Sequence, residues 1–298
     1  MTGTVISNGV KDLFAQFYFL SPKILGYSSF YSFAANHLEY SDKYPGMVVQ
    51  AHNVEYLAAK IKPYTYQVTK EECLDLPDKV YHTYYFDMTD EQHEAYSIAK
   101  SEFLDQLDYG EFTPYTIFQM FNTLQQIVSG FRIINGRLVT YPHRRLESLL
   151  ECIAKEGDNE KIVIWAKYQY DVESIAQALR INYGESSVSL YYGRVGERQR
   201  KQQEDLFHSD KGARFFVATP GTGGHGLTLV ESAVVKIYNR TFKYAENEQM
   251  EDRTHRIGQT RSQCTRISIV LDPLMTVSGR RIAIKVMFWT ISKRKWTR

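Results

Sequence analysis

No stretch of this 298-residue sequence reads Gly-x-x-x-x-Gly-Lys-Ser/Thr, so it holds no phosphate-cradling loop with its own lysine. Cysteine is scarce. Cys73, Cys152 and Cys264 lie far apart, with no Cys-x-x-Cys and no clustered histidine partners. That speaks against metal ligands and disulfides and for buried thiols in a reducing compartment. The longest apolar runs are too short to span a bilayer and no signal peptide precedes them, so a soluble cytoplasmic protein with no membrane partner is expected. Internal repeats and low-complexity linkers are absent as well. Acidic residues are missing from one region, since from Pro273 onward there are seven Lys/Arg and no Asp/Glu. Taking those seven charges from the net +2 leaves residues 1–272 at −5, so the basic balance comes wholly from the tail.

What is present is ample core material. Hydrophobic residues make up 43% of the chain, too many for disorder, and the length suits one large or two ordinary domains. From Lys161 onward strands and helices alternate. Strands are expected at 161–166, 188–193, 213–218, 233–238 and 265–270. Helices are expected after Asp171 (placed as an N-cap), over 197–207 and over 246–256. Such alternation predicts an α/β fold with a doubly wound parallel sheet, whose ligands sit at the carboxyl ends of the strands. Residues 10–140 read as mostly helical, with an extended piece near Lys79–Phe86. Their aromatics (Phe14, Phe17, Tyr18, Phe19, Tyr27, Phe30, Tyr31, Phe33) suit a core more often than a base-stacking platform.

The richest segment is Gln249-Met250-Glu251-Asp252-Arg253-Thr254-His255-Arg256-Ile257-Gly258-Gln259. Three-residue spacing on a helix would put Arg253 and Arg256 on one face. Upstream, the glycine-rich run Thr219–Leu227 lets backbone N–H groups approach an anion closely, and the apolar stretch 233–238 reads as a buried strand. An isolated Asp-Arg-x-x-Arg is more often an ordinary solvated helix. Glycine turn, strand and twin arginines in this order, ending Arg-Ile-Gly-Gln, resemble the last two signature motifs of superfamily II helicases of the Swi/Snf type.

That resemblance implies a RecA-like fold, with ATP, Mg2+ and double-stranded DNA as its ligands. Arg253 and Arg256 would act as catalytic arginine fingers, a role worth roughly 10³–10⁵ in rate where it has been measured. Gln249 and Asp252 would orient them, and Gln259, Gly224 and Gly226 would complete the coupling site. Thr219, Thr222 and Gly223 would present hydroxyls and backbone donors to DNA phosphates. Lys167, Tyr192 and Gly193, just past strand ends, are weaker backbone-contact candidates. His225 is expected to pack locally, and Thr228 stands where the family commonly has asparagine.

At the other end, Thr2-Gly3-Thr4-Val5-Ile6-Ser7-Asn8 resembles the Thr-Gly-Thr-Pro-Ile-x-Asn motif that closes the first RecA-like lobe, with Val5 where proline is usual. Thr2, Gly3 and Thr4 would then couple hydrolysis to lobe movement. Asp90-Glu91-Gln92-His93 spells the helicase magnesium pattern. With Thr89 ahead of it and Gln92 three residues on, it reads instead as a capped helix start, so no metal ligand is assigned.

The expected organisation is an end of the first lobe (1–9), a helical inter-lobe region (10–140), a RecA-like C-terminal lobe (141–272) and an aberrant tail (273–298). Reading the back-translated tail from the third codon base restores a soluble amphipathic pattern, which suggests a frameshift between about Val277 and Lys285. The expectation is therefore the C-terminal portion of a compact, phage- or bacterial-type translocase, inactive alone because ATP and Mg2+ would be held mainly by a separately encoded first lobe. A non-catalytic DNA-binding or regulatory lobe and the inert product of a disrupted gene are the alternatives.

Overall fold

The structure, a computed structural model, describes residues 9–42, 46–66, 68, 70–108, 114–209, 212–223 and 226–271. Thr2, Gly3, Thr4, Gly224, His225 and the tail 273–298, for all of which roles or readings were expected, lie outside the described residues.

The chain opens with a small helical module. It comprises α1 (Lys11–Leu20), α2 (Pro22–Leu25), α3 (Phe30–His37), a hairpin of β1 (Leu38–Tyr40) and β2 (Val48–Ala51), and α4 (Val54–Ile61). Ser29 caps α3 by accepting from the Ser32 amide at 3.2 Å. Phe17, Leu25, Phe33 and Leu57 form the buried centre, with Phe14 and Tyr27 packed against it. The core reading of the aromatics holds for these four rings. Phe19 and Tyr31, at 90% and 86% exposure, stay outside.

After α5 (Lys70–Cys73) the chain enters β3 (Lys79–Asp87), then the helix pair α6 (Asp90–Asp108) and α7 (Pro114–Val128). The start of α6 is a reciprocal capping box. Thr89 Oγ1 accepts from the Gln92 amide at 3.3 Å, and Gln92 Oε1 accepts from the Thr89 amide at 3.2 Å. The Asp-Glu-x-His run is therefore a helix start, as its surroundings predict. Gln92 is fully buried, and its amide donates to the Ile127 and Val128 carbonyls at the end of α7.

A hairpin, β4 (Phe131–Ile134) and β5 (Arg137–Thr140), leads to α8 (Arg145–Ala154) and the alternating region. There follow β6 (Ile162–Trp165), α9 (Gln169–Tyr183), β7 (Val188–Tyr191), α10 (Glu197–His208), β8 (Phe215–Ala218), α11 (Pro220–Gly223), β9 (Val234–Ile237), α12 (Tyr244–Glu251) and β10 (Gln263–Leu271). Six strands form one parallel sheet in the order β3-β10-β9-β6-β8-β7. Alternate residues face opposite cores. Ile162, Ile164, Phe215 and Val217 meet α8 and α9, whereas Val163, Trp165, Phe216 and Ala218 meet Phe207 and Met250 of α10 and α12. Burial on both faces is what makes these strands continuously apolar, and the doubly wound α/β fold is as expected. The extended piece 79–86 is the sheet's edge strand, paired with β10 over nine residues.

Two local expectations need correction. Asp171 is not a cap: Tyr168 is the N-cap of α9, and Asp171 lies inside the first turn, 2% exposed. The helix expected over 246–256 is α12 and stops at Glu251, so Arg253 and Arg256 lie on the turn beyond it. The helix tightens where it ends: the Arg253 amide donates to Met250 O at 3.3 Å, and Gln249 O, its regular helical acceptor, takes Arg253 Nε at 3.0 Å instead.

Candidate functional site

Although off the helix, the two arginines converge. Arg253 Nη1 lies 3.4 Å and Arg256 Nη1 3.1 Å from the same acceptor, the Leu227 carbonyl. Arg253 is the more enclosed, at 8% exposure, with its Nε donating to Gln249 O at 3.0 Å. Burial, then the neighbouring Arg256 guanidinium, holds its pKa below the usual arginine range. Arg256 also donates to Thr228 Oγ1 at 3.1 Å.

Leu227 ends the glycine-rich loop. Thr219 leaves β8 with its amide donating to Tyr191 O at 3.2 Å, and its carbonyl accepts from Gly223 N at 2.8 Å to close the short α11 turn. The turn lies directly over Trp165. A Cβ on Gly223 would sit 2.6 Å from Trp165 Cζ3, so any side chain there must displace the buried indole. Gly226 has φ +77°, the left-handed region that favours glycine. Loop and arginine turn are thus joined through Leu227, with two permanent cations facing one neutral oxygen.

Other residues singled out in the sequence have different local partners. Gln249 contributes its main-chain carbonyl. Asp252 faces Lys79 Nζ at 3.5 Å. Gln259 is 5% exposed, and its amide donates to Val230 O, Ser232 O and Thr254 O at 3.2, 3.0 and 3.3 Å. It ties the arginine turn to the loop before β9. Lys167 Nζ is bound by Asn122 Oδ1 and Gln125 Oε1, both at 2.9 Å, and lies 4.0 Å from the Phe242 ring centre. Burial pushes its pKa down to about 8. Tyr192 Oη donates to Glu173 Oε1 at 3.0 Å, and Gly193 stands beside Gln169.

Sequence reasoning missed a buried polar hub at the carboxyl end of the sheet. Arg145 Nη1 donates to Ser129 Oγ at 3.1 Å, its Nη2 donates to Tyr238 O, and its Nε donates to Ser268 Oγ at 3.3 Å. Asn239 Nδ2 donates to Ser129 Oγ at 3.1 Å and to Asp171, while Asn239 Oδ1 accepts from the Lys167 amide. Burial pushes Asp171 up to about 7, against the lowering influence of Arg145, Asn239 and Ser129. Five segments meet here that no linear motif connects. Glu251 was missed too; it is 8% exposed, and its carboxylate receives Tyr81 Oη at 2.7 Å and Arg240 Nη2 at 3.1 Å.

Among the described residues no group of three or more His, Cys, Asp or Glu is placed to hold a metal ion. Nor is any helix among them long and apolar enough to cross a membrane.

Comparison with known proteins places these features. A family profile described as an SNF2-related domain matches residues 1–131, and one described as a helicase conserved C-terminal domain matches 144–258. An uncharacterized ATP-dependent helicase of Mycoplasma genitalium is 24% identical over 267 residues, covering 88% of this chain and 24% of the relative. A putative ATP-dependent helicase/translocase of Bacillus subtilis is 25% identical over 281 residues, covering 88% and 28%. The chain thus spans about a quarter of the length of these curated relatives. The Sulfolobus solfataricus SWI2/SNF2 ATPase core solved in complex with double-stranded DNA shares the fold, with a TM-score of 0.56 and 24% identity over 97% of this chain and 60% of that one. The C-terminal part of the Fun30 ATPase domain gives a TM-score of 0.52 at 17% identity, over 66% and 86%. With its SNF2-related segment, its helicase C-terminal domain and a parallel sheet carrying the arginine turn, the chain belongs to the Swi/Snf-like superfamily II helicases.

Proposed function

We propose that this chain supplies the second-lobe half of an ATP-dependent Swi/Snf-like DNA translocase. In this reading Arg253 and Arg256 are the arginine fingers, and the loop Thr219–Gly226 touches the DNA backbone. The observation that carries it is the convergence of both guanidiniums on Leu227 O, at the end of the glycine loop. Hydrolysis builds negative charge on the γ-phosphoryl oxygens, and a planar, always-protonated fork answers that charge better than any other side chain. An exchange of the neutral carbonyl for a phosphoryl oxygen turns a hydrogen bond with one charged partner into one with two. Gln249, Asp252 and Gln259 act by fixing the turn, Gln249 and Gln259 through bonds to its main chain and side chains. Gly224, Gly226, Thr2, Gly3 and Thr4 are proposed to couple nucleotide state to lobe movement. Double-stranded DNA is the proposed partner, with Thr219, Thr222, Gly223 and, less directly, Lys167, Tyr192 and Gly193 as its contacts.

The sequence offers no phosphate-cradling loop, so ATP and Mg2+ are proposed to be held by a first lobe acting with this one. Turnover by the 298-residue polypeptide is expected to stay at background with or without DNA. Adding a first lobe in trans should restore DNA-stimulated hydrolysis, and Arg256→Ala should remove it. DNA-stimulated turnover by the chain alone that is lost in Arg256→Ala would refute the division of labour.

A further inference from the structure

The turn carrying Arg253 and Arg256 is tied to residues about 170 positions earlier, at the entrance to β3. Tyr81 Oη donates to Glu251 Oε2 at 2.7 Å. Lys79 Nζ stands 3.5 Å from Asp252 Oδ1 and 4.0 Å from Glu251 Oε2. His255 Nε2 bonds Pro77 O at 2.8 Å, and Asp78 O accepts from the Gln263 amide at 3.0 Å. Glu251 ends α12, two residues before Arg253, and is enclosed at 8% exposure. Its second oxygen takes Arg240 Nη2 at 3.1 Å.

These contacts are more than the sheet requires. β3 is already held to β10 by parallel pairing from Lys79–Gln263 to Asp87–Leu271, and an edge strand needs no side-chain bond to a neighbouring helix end. A nearly buried carboxylate, however, needs every partner it has, because an uncompensated charge in such a place is strongly destabilising. Burial and Glu251 together raise the Tyr81 phenol above its ordinary pKa, so it keeps the proton it donates. The consequence is directional. The five residues Pro77–Tyr81 reach both the last residue of α12 and the turn after it, and they are the path by which the chain from the helical module enters the sheet.

We propose that Tyr81, Lys79 and Glu251 are positioning residues, a polar clamp through which the connector into β3 sets the placement of the Arg253–Arg256 turn. The clamp rests on the finger role proposed above for its relevance to catalysis, but its existence is testable without it. Displacing residues 77–81 displaces the turn, so a shift of the helical module reaches the arginines without passing through the sheet core. Glu251 and Tyr81 touch no reacting atom in this scheme. They act through the backbone of residues 251–255.

Amide hydrogen exchange on the 298-residue chain tests this. In Tyr81→Phe, which keeps the ring, amides of residues 252–259 should exchange about tenfold faster or more, the size expected for losing a hydrogen bond to a charged group. Amides of β6 and β8 should be unchanged. Glu251→Gln, which still accepts from Tyr81 but loses the charge that Arg240 and Lys79 face, should show an intermediate effect. Unchanged exchange at 252–259 in both variants, or an equal rise throughout the sheet, would overturn the clamp. With a first lobe supplied in trans, Tyr81→Phe should lower kcat and leave the DNA half-saturation point alone. If exchange rises locally and Arg256→Ala abolishes turnover, yet kcat of Tyr81→Phe is unaltered, the positioning role is wrong. If Arg256→Ala leaves turnover intact, the finger assignment is what fails, and the exchange result still decides the clamp.

Discussion

Arg253 and Arg256 aim their Nη1 atoms at one oxygen, the main-chain carbonyl of Leu227, at 3.4 and 3.1 Å. Two full positive charges thus share one neutral carbonyl oxygen. The two arginines are unequal. Arg253 is closed in and bonded to Gln249 O, while Arg256 is half-buried and reaches a second side chain, Thr228.

That inequality separates two mutations. Arg253→Ala should destabilise the lobe by about 1–3 kcal/mol, since it strips buried hydrogen bonds to a charged group. Arg256→Ala should cost much less. Urea unfolding of the two variants checks this, and equal losses would contradict the burial difference.

With a first lobe supplied, Arg256→Lys should keep the charge but lose the planar fork. The expected result is a fall in kcat of about two orders of magnitude or more, with DNA affinity nearly unchanged. ATPase rate against DNA concentration gives both quantities. A shifted half-saturation point with an intact plateau would assign the arginine to the DNA track.

Gly223→Ala places a methyl group 2.6 Å from Trp165 Cζ3, in the core. Overpacking of this kind costs about 1–3 kcal/mol. A lowered melting temperature with altered near-ultraviolet ellipticity is expected, whereas Gly221→Ala meets nothing within 4 Å and serves as the control.

Asp171 titrates at about 7 in the fold, up from 3.8, chiefly because burial disfavours its charged form. A carboxyl shifted upward adds stability that is complete below about pH 4 and is lost as pH rises through about 7. Asp171→Asn removes that dependence. The melting temperature of Asp171→Asn minus that of the parent should therefore be more positive at pH 8 than at pH 5. The reverse order would mean that Arg145 outweighs burial.

The parts of this fold that a reader can see in the sequence are those fixed by local physics. Trp165 and its neighbours are apolar on both sides because helices cover both faces, so the strand is visible at a glance. Thr89 and Gln92 spell a capping box that the structure closes. Arg253 and Arg256 are visible as a pair but not as a turn, because the turn is held by the Leu227 carbonyl and the Leu229 amide, more than 20 residues upstream. Lys167 reads in the sequence as a backbone-contact candidate just past a strand end; its partners Asn122 and Gln125 lie on α7, more than 40 residues away. The Arg145–Ser129–Asn239–Asp171 hub is invisible for the same reason. Each member is ordinary in its own segment, and only the closed sheet brings them together.

The strand order carries a consequence for how the molecule is made. β10, the latest described strand in the chain, sits inside the sheet between β3 and β9. On the ribosome, the side of β9 that β10 will cover stays bare until residues 263–271 emerge, and β3 waits for a partner across more than 170 residues. Non-local parallel pairing of this kind is slow and leaves strand edges open to other chains. The nascent polypeptide should therefore be most prone to aggregate when translation has passed β9 and has not reached β10. Truncation just before Gln263 would trap that same vulnerable species.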